Sequence, residues 1–328
     1  MRRTFGFGIV IVSLGLAFAW AHPAQTRPDN DDGYTVTGDV SAGWGTEGGD
    51  LWHDILKETD TSTAGGYDGT YTRGVLARPP TTEDLPNPLN PTNHNWTEVD
   101  YLLAVGSHGG RALFSLGELD PRFGNQPVRF TANRYGKGFS LEGAGRSVRD
   151  VGHINVVHAF TNIKNVPKDV HPYSPMLVVS GAGITPRTFG PADLQAMPQV
   201  TFDASSSASN TVGIWTGPTL LSVLRASGVN TEDMDDYVVV QATDGYATVV
   251  SMYEATQLVG NQYTLLAIRD GLNSTINNGT CTDPESANTT CKDGGFTRLV
   301  LPKDLAAGRW VSNTAQIIVF SLNEQRWR

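Results

Sequence analysis

Three basic residues, Arg298, Lys303 and Arg309, fall within one short stretch near the end of the chain. A guanidinium is a planar fork of donors that matches phosphate and other oxyanions, so this trio is a candidate binding site for an anionic group. The plainer alternative is that Arg309 pairs with a carboxylate and covers a sheet edge. Asp244 and Tyr246 join the trio as candidates if the turn that carries them faces a pocket; as turn residues they need no such role.

Metal chemistry has fewer footholds. The chain opens with Arg2 and Arg3, an apolar run from Phe7 to Trp20 and the small-x-small sequence Ala19-Trp20-Ala21, the pattern of an export signal (residues 1–21) cleaved after Ala21. The run is short for a membrane span and no second apolar stretch follows, so no integral span is expected once the signal is removed. Arg2-Arg3-Thr4-Phe5 resembles a twin-arginine signal, although an ordinary basic leader fits better without the Ser and Lys flanks. Cleavage there would leave His22 at the new terminus, where amino group and imidazole can chelate copper together. A second imidazole would have to come from His53, His94, His108, His153, His158 or His171, and the rival reading is a polar, Pro-containing tail over residues 22–33. His153 and His158 are five apart and lack the i, i+4 spacing of a helical zinc pair. Cys281 and Cys291 bracket a polar Asn/Thr-rich stretch, which in an exported protein reads as a disulfide closing a surface loop (residues 272–295). Asn95, Asn273, Asn278 and Asn288 each begin a glycosylation sequon if the source is eukaryotic. No G-x-S-x-G elbow, phosphate loop or H-E-x-x-H helix is present.

Charge narrows the partners. The chain has 328 residues and a formal net charge of −9, and without Arg2 and Arg3 it has 22 basic against 33 acidic side chains. An acidic surface argues against nucleic acid and anionic membranes, and a small anionic ligand would need a local basic pocket. A redox partner stays open. The 36 Gly and 18 Pro forecast short strands and many turns rather than helical bundles.

The elements that must hold these residues are revealed by an internal repeat. Asp100-Tyr101-Leu102-Leu103-Ala104-Val105-Gly106-Ser107-His108-Gly109 and Asp236-Tyr237-Val238-Val239-Val240-Gln241-Ala242-Thr243-Asp244-Gly245 align without a gap through Ser115/Ser251 and Glu118/Glu254. Each copy reads as strand, Gly-containing turn, strand, then a Ser-x-x-Glu capping box that starts a helix. Upstream, residues 49–57 pair with 217–225, where Pro218 is expected at the first helical position and Gly228 at the stop. Val36-Thr37-Gly38 pairs in the same order with Val179-Ser180-Gly181. The organisation expected is a first domain over 34–166 with a long loop at 61–97, a linker at 167–176, a second domain over 177–322 and a tail at 323–328.

The second copy carries a family resemblance. Val178-Val179-Ser180-Gly181, Ala192 to Pro198, Trp215-Thr216-Gly217-Pro218-Thr219-Leu220, Ala242 to Tyr246, Leu265-Leu266-Ala267, Arg298 to Asp304 and Gly308-Arg309-Trp310-Val311 follow in the order of the molybdopterin-binding domain of the sulfite oxidase family. The first copy resembles it over residues 98–121 and in the strand Ile163 to Val166. The resemblance implies an α+β fold of two tandem domains with mixed sheets, and a pterin phosphate as the anion for Arg298, Lys303 and Arg309. In catalytic members a Cys just after the strand equivalent to Val200-Thr201-Phe202 ligates molybdenum. Here the chain continues Asp203-Ala204-Ser205-Ser206-Ser207, and no Cys follows until Cys281. Thiolate is the usual soft ligand, so a molybdopterin cofactor is disfavoured although the resemblance allows it. Three readings follow: a cofactor-degenerate binding or accessory protein, an oxidoreductase with non-Cys ligation, and a surface or structural interaction protein. A basic pocket at Arg298 and Arg309 would favour the first two, and a closed, salt-bridged surface the third.

Overall fold

Short β-branched runs separated by Gly and Asn turns build a sheet-dominated α+β protein with few, short helices in the computed structural model. The structure describes residues 34–38, 43–45, 51, 100–121, 123–132, 139–158, 175–206, 211–243, 246–256, 263–270, 274–275, 296–305 and 307–322. The export signal, His22, the 61–97 loop, Ile163 to Val166, Asp244, Cys281, Cys291 and the sequon asparagines all lie outside those residues, as does most of the 167–176 linker.

The first sheet follows the order β2 (Gly43–Gly45), β1 (Tyr34–Gly38), β7 (Arg146–His158), β3 (Asp100–Gly106) and β4 (Arg111–Ser115). β1 runs parallel to β7, and β3 runs antiparallel to both β7 and β4. β5 (Val128–Ala132) and β6 (Phe139–Gly143) extend it through the first half of β7. The β6–β7 turn puts Ala144 and Gly145 at φ of 48° and 76°, the pair of positive values that a two-residue hairpin turn requires.

The second sheet follows the order β9 (Arg187–Phe189), β8 (Leu177–Gly181), β18 (Thr314–Ser321), β12 (Asp236–Ala242) and β13 (Ala247–Ser251). β8 runs parallel to β18, and β12 is antiparallel to β18 and β13. Order and strand senses therefore match those of the first sheet. The register shifts at Val105/Gly106 in β3 and at Gln241/Ala242 in β12, equivalent positions of the sequence repeat. Beside the second sheet lie β10 (Val200–Ser206), β11 (Thr211–Gly217), β15 (Arg269–Asp270) and β16 (Ser274–Thr275), and the pair β14 (Leu265–Ala267) with β17 (Arg298–Val300).

The near-continuous apolar run of β12 has a simple cause: both of its faces are covered. Val238, Val240 and Ala242 pack into the core under the second sheet, while Tyr237 and Val239 turn the other way. On the first sheet Leu102 and Ala104 face its own core, and Tyr101 and Leu113 turn outward to meet Tyr237, Val239, Ala247 and Val249. The two hairpins thus share a third core, with the Tyr101 and Tyr237 rings 4.5 Å apart.

The helices are brief. α1 (Leu116–Leu119) and α4 (Met252–Ala255) are single turns capped by Ser115 and Ser251, whose hydroxyls accept from the Glu118 and Glu254 amides. α2 is Pro191–Ala196 and α3 is Leu220–Ala226. Contrary to the expectation for Pro218, the cap of α3 is Thr219, so Pro218 stands outside the helix. The Thr219 hydroxyl accepts from the Ser222 amide at 3.0 Å, which satisfies a donor that Pro218 at the first helical position would leave open. Gly228 does follow the helix, at φ +83°. Of residues 49–57 only Leu51 is described, and it is buried.

Candidate functional site

Arg309 ends a 3₁₀ turn, Ala307–Arg309, that returns the chain from β17 towards β18. Its side chain is buried and bonded to Asp304, Glu254 and Ser115 of the same chain. Nε and Nη2 donate to the two Asp304 carboxylate oxygens at 2.9 and 2.7 Å, a bidentate fork. Nη1 donates to Glu254 Oε1 at 2.8 Å and to the Ser115 hydroxyl at 3.3 Å. Gly117 is required beside it, because a Cβ there would lie 2.3 Å from Arg309 Cδ. Burial works against the Arg309 charge, but Asp304 and Glu254 outweigh it and hold the guanidinium more firmly protonated than usual. Burial likewise pushes the Asp304 carboxyl up to about 6 against the pull of Arg309.

Arg146, at the start of β7, occupies the corresponding place beside the first hairpin, β3–β4. Its Nη2 lies 2.6 Å from Glu118 Oε1, its Nη1 donates to the Leu113 carbonyl, and its guanidinium sits 4.0 Å over the Phe114 ring and 4.6 Å over that of Tyr253. The capping serines then cross over. The Ser115 hydroxyl donates to Glu254 Oε2 at 2.7 Å, and the Ser251 hydroxyl donates to Glu118 Oε2 at 3.2 Å. Each hairpin therefore completes the polar cluster of the other. Burial pushes the Glu118 carboxyl up to about 8, with Glu254 adding to the rise and Arg146 and Arg309 opposing it. Asp120, also buried, follows α1 and adds its charge beside Asp304.

A cleft of about 40 Å³ opens beside this cluster, lined by Lys303, Asp304, Arg309, Glu254, Tyr263 and Gln126 among others. That is room for a few waters. Of the basic trio, Lys303 and Arg309 meet here. Arg298 does not: its guanidinium stacks 5.2 Å from the Trp215 ring and 5.8 Å from that of Trp310, and these two rings meet edge to face. The Tyr246 hydroxyl donates to the Gly308 carbonyl, tying the second hairpin to the turn that carries Arg309.

Three histidines fall among the described residues. His108 is exposed at the first hairpin tip, 3.2 Å from an Asp150 carboxylate, and His153 and His158 both lie on β7. Burial lowers the His153 pKa from its ordinary value. Among the described residues, no group of three or more His, Cys, Asp or Glu side chains is arranged to hold a metal, and no helix is long and apolar enough to cross a membrane.

Among the described residues, the cleft beside Arg309 does not fit a molybdopterin. Ligand sites of cofactor size run to about 300 Å³ and more, and this cleft is far smaller. The guanidinium best suited to a pterin phosphate is forked on Asp304. The stretch where a metal-ligating Cys would stand continues as β10, paired with β11 in unbroken register out to Ser206 opposite Thr211. Sequence reasoning missed Arg146 and the crossing of the serines. The available signal was the shared spacing of Ser115/Ser251 and Glu118/Glu254, which marks equivalent positions but not that they face each other.

No family model matches the chain, and no curated protein matches it. Among solved structures it is similar to the sulfane dehydrogenase SoxCD from Paracoccus pantotrophus, with a TM-score of 0.34 and 14% identity over 61% of this chain. The match covers 48% of that structure's chain, about half its length. A likeness of that strength leaves function to be argued from the residues.

Proposed function

We propose that this chain is an exported, internally duplicated protein, with domains at 34–166 and 177–322, that works by surface contact rather than by redox catalysis. The observation that carries this reading is the fate of Arg309: a buried guanidinium that gives four of its five N–H donors to Asp304, Glu254 and Ser115 already has its counter-charges within the chain. Duplication is supported by the matching strand orders and by the matched caps of α1 and α4. On this reading the polar residues of the ancestral cofactor region hold the two halves together. The sulfite-oxidase-type resemblance, export and the Cys281–Cys291 disulfide rest on the sequence. An accessory role beside a redox enzyme is one form that such contact could take.

Elemental analysis of the protein purified from its own compartment tests the proposal. Molybdenum or tungsten approaching one atom per chain would overturn it and direct attention to Asp203–Ser207. Copper would instead point to His22. The expected outcome is no stoichiometric metal, together with no measurable binding of inorganic phosphate or molybdate by calorimetry.

A further inference from the structure

Among the described residues, six of the buried ionisable side chains gather under the two hairpins, and their charges do not balance. Four are carboxyls: Glu118 and its neighbour Asp120 on the first hairpin side, Glu254 on α4, and Asp304 after β17. Two are guanidiniums, Arg146 from β7 and Arg309 from the 3₁₀ turn. Arg309 serves Asp304 and Glu254, and Arg146 serves Glu118. Fully ionised, the cluster would carry an excess of negative charge away from water, where an uncompensated charge is costly and carboxyls keep protons instead.

We propose that this cluster is a proton-linked latch: one proton is held on the Glu118 side of the Glu118–Glu254 pair while the hairpins are packed, and its loss loosens their contact. The geometry accommodates the proton. A neutral Glu118 keeps Oε1 against Arg146 and can donate from Oε2 to the Ser251 hydroxyl, 3.2 Å away. Ser251 and Glu254 belong to the opposite hairpin, so the protonation of one half is read directly by the other. The cleft that reaches Glu254, Asp304 and Arg309 gives the cluster a route to water. The rise of the Glu118 carboxyl to about 8 agrees with this arrangement. The charged groups facing Glu118 are Arg146, Glu254 and Arg309, with the Tyr253 ring against Arg146.

The test counts protons as the full-length chain unfolds. Unfolding exposes Glu118 to water, where it ionises fully at about pH 7.5, so the wild-type chain should release about one proton more than E118Q. Amides of β3, β4, β12 and β13 in the wild-type protein should also lose hydrogen-exchange protection above about pH 8, after correction for intrinsic rates, and E118Q should keep theirs. Equal release by the two proteins, or protection that is independent of pH, would overturn the latch. If E118Q does not fold, the wild-type protein decides: its release must decline as the starting pH is raised to about 9.5, and a constant or absent release sinks the idea.

Discussion

Arg309 and Arg298 show how residues of one type, eleven positions apart, come to opposite uses. Arg298 spreads its guanidinium over two indole rings, and Arg309 spends its donors on two carboxylates and a serine. Removing Arg309 leaves Asp304 and Glu254 buried without their cation, a change that costs about 3–5 kcal/mol when one partner of a buried pair is lost. Arg309→Met should therefore lower the unfolding free energy in urea by that order. Arg309→Lys should fall between, because an ammonium cannot fork onto Asp304 while reaching Glu254. If Arg309→Met unfolds like the wild type, the guanidinium does not hold this cluster together. The chemical aptitude of Arg309 was legible in the sequence. Its use was not, because Glu254 lies 55 residues away and Ser115 lies 194 away, and only the fold decides whether a guanidinium meets a ligand or its own chain.

The hairpin-and-cap elements were legible in much greater detail. Strands, turns and caps obey local rules, and the Ser-x-x-Glu spacing located both α1 and α4. The departures come from tertiary contact. Glu254 closes a full capping box on the Ser251 amide, whereas Glu118 is drawn to Arg146 and to the opposite serine. The cap of α3 moved to Thr219 because a side-chain acceptor there does more than a Pro one position earlier. The crossed serines also make a prediction for the elements as a pair. Losing either cap alone should cost about 0.5–2 kcal/mol. Ser115→Ala combined with Glu254→Ala should cost less than the sum of the two, since both changes remove the same 2.7 Å bond. A double-mutant cycle by chemical denaturation should give a coupling of about 0.5–3 kcal/mol, and strict additivity would show that the two hairpins cap themselves independently.

At the scale of the whole molecule, the two sheets meet through an apolar core centred on Tyr101 and Tyr237 and through the polar cluster beside it, and these residues fall in one compact unit. Stability should therefore follow the cluster's protons. Glu118 is raised from 4.5 to about 8 and Asp304 from 3.8 to about 6. A carboxyl raised on folding favours the native state fully below its unfolded value, and that advantage is lost as pH climbs to the folded one. The Asp304 contribution is gone by about pH 6, whereas that of Glu118 is still being lost up to about pH 8. His153 works in the opposite sense: its imidazole is lowered by burial, so it costs stability only as pH falls below its ordinary value of 6.5. Between about pH 6.5 and 8 the Glu118 carboxyl dominates these three, and the melting temperature should fall steadily, then level off. Glu118→Gln should remove that slope. Glu254→Gln, by taking away the neighbouring carboxylate that raises Glu118, should move the fall to lower pH. Differential scanning calorimetry across this interval reads all three proteins. A melting temperature that stays flat or rises for the wild type would mean that Glu118 is already ionised in the folded chain, and that Arg146 alone compensates it.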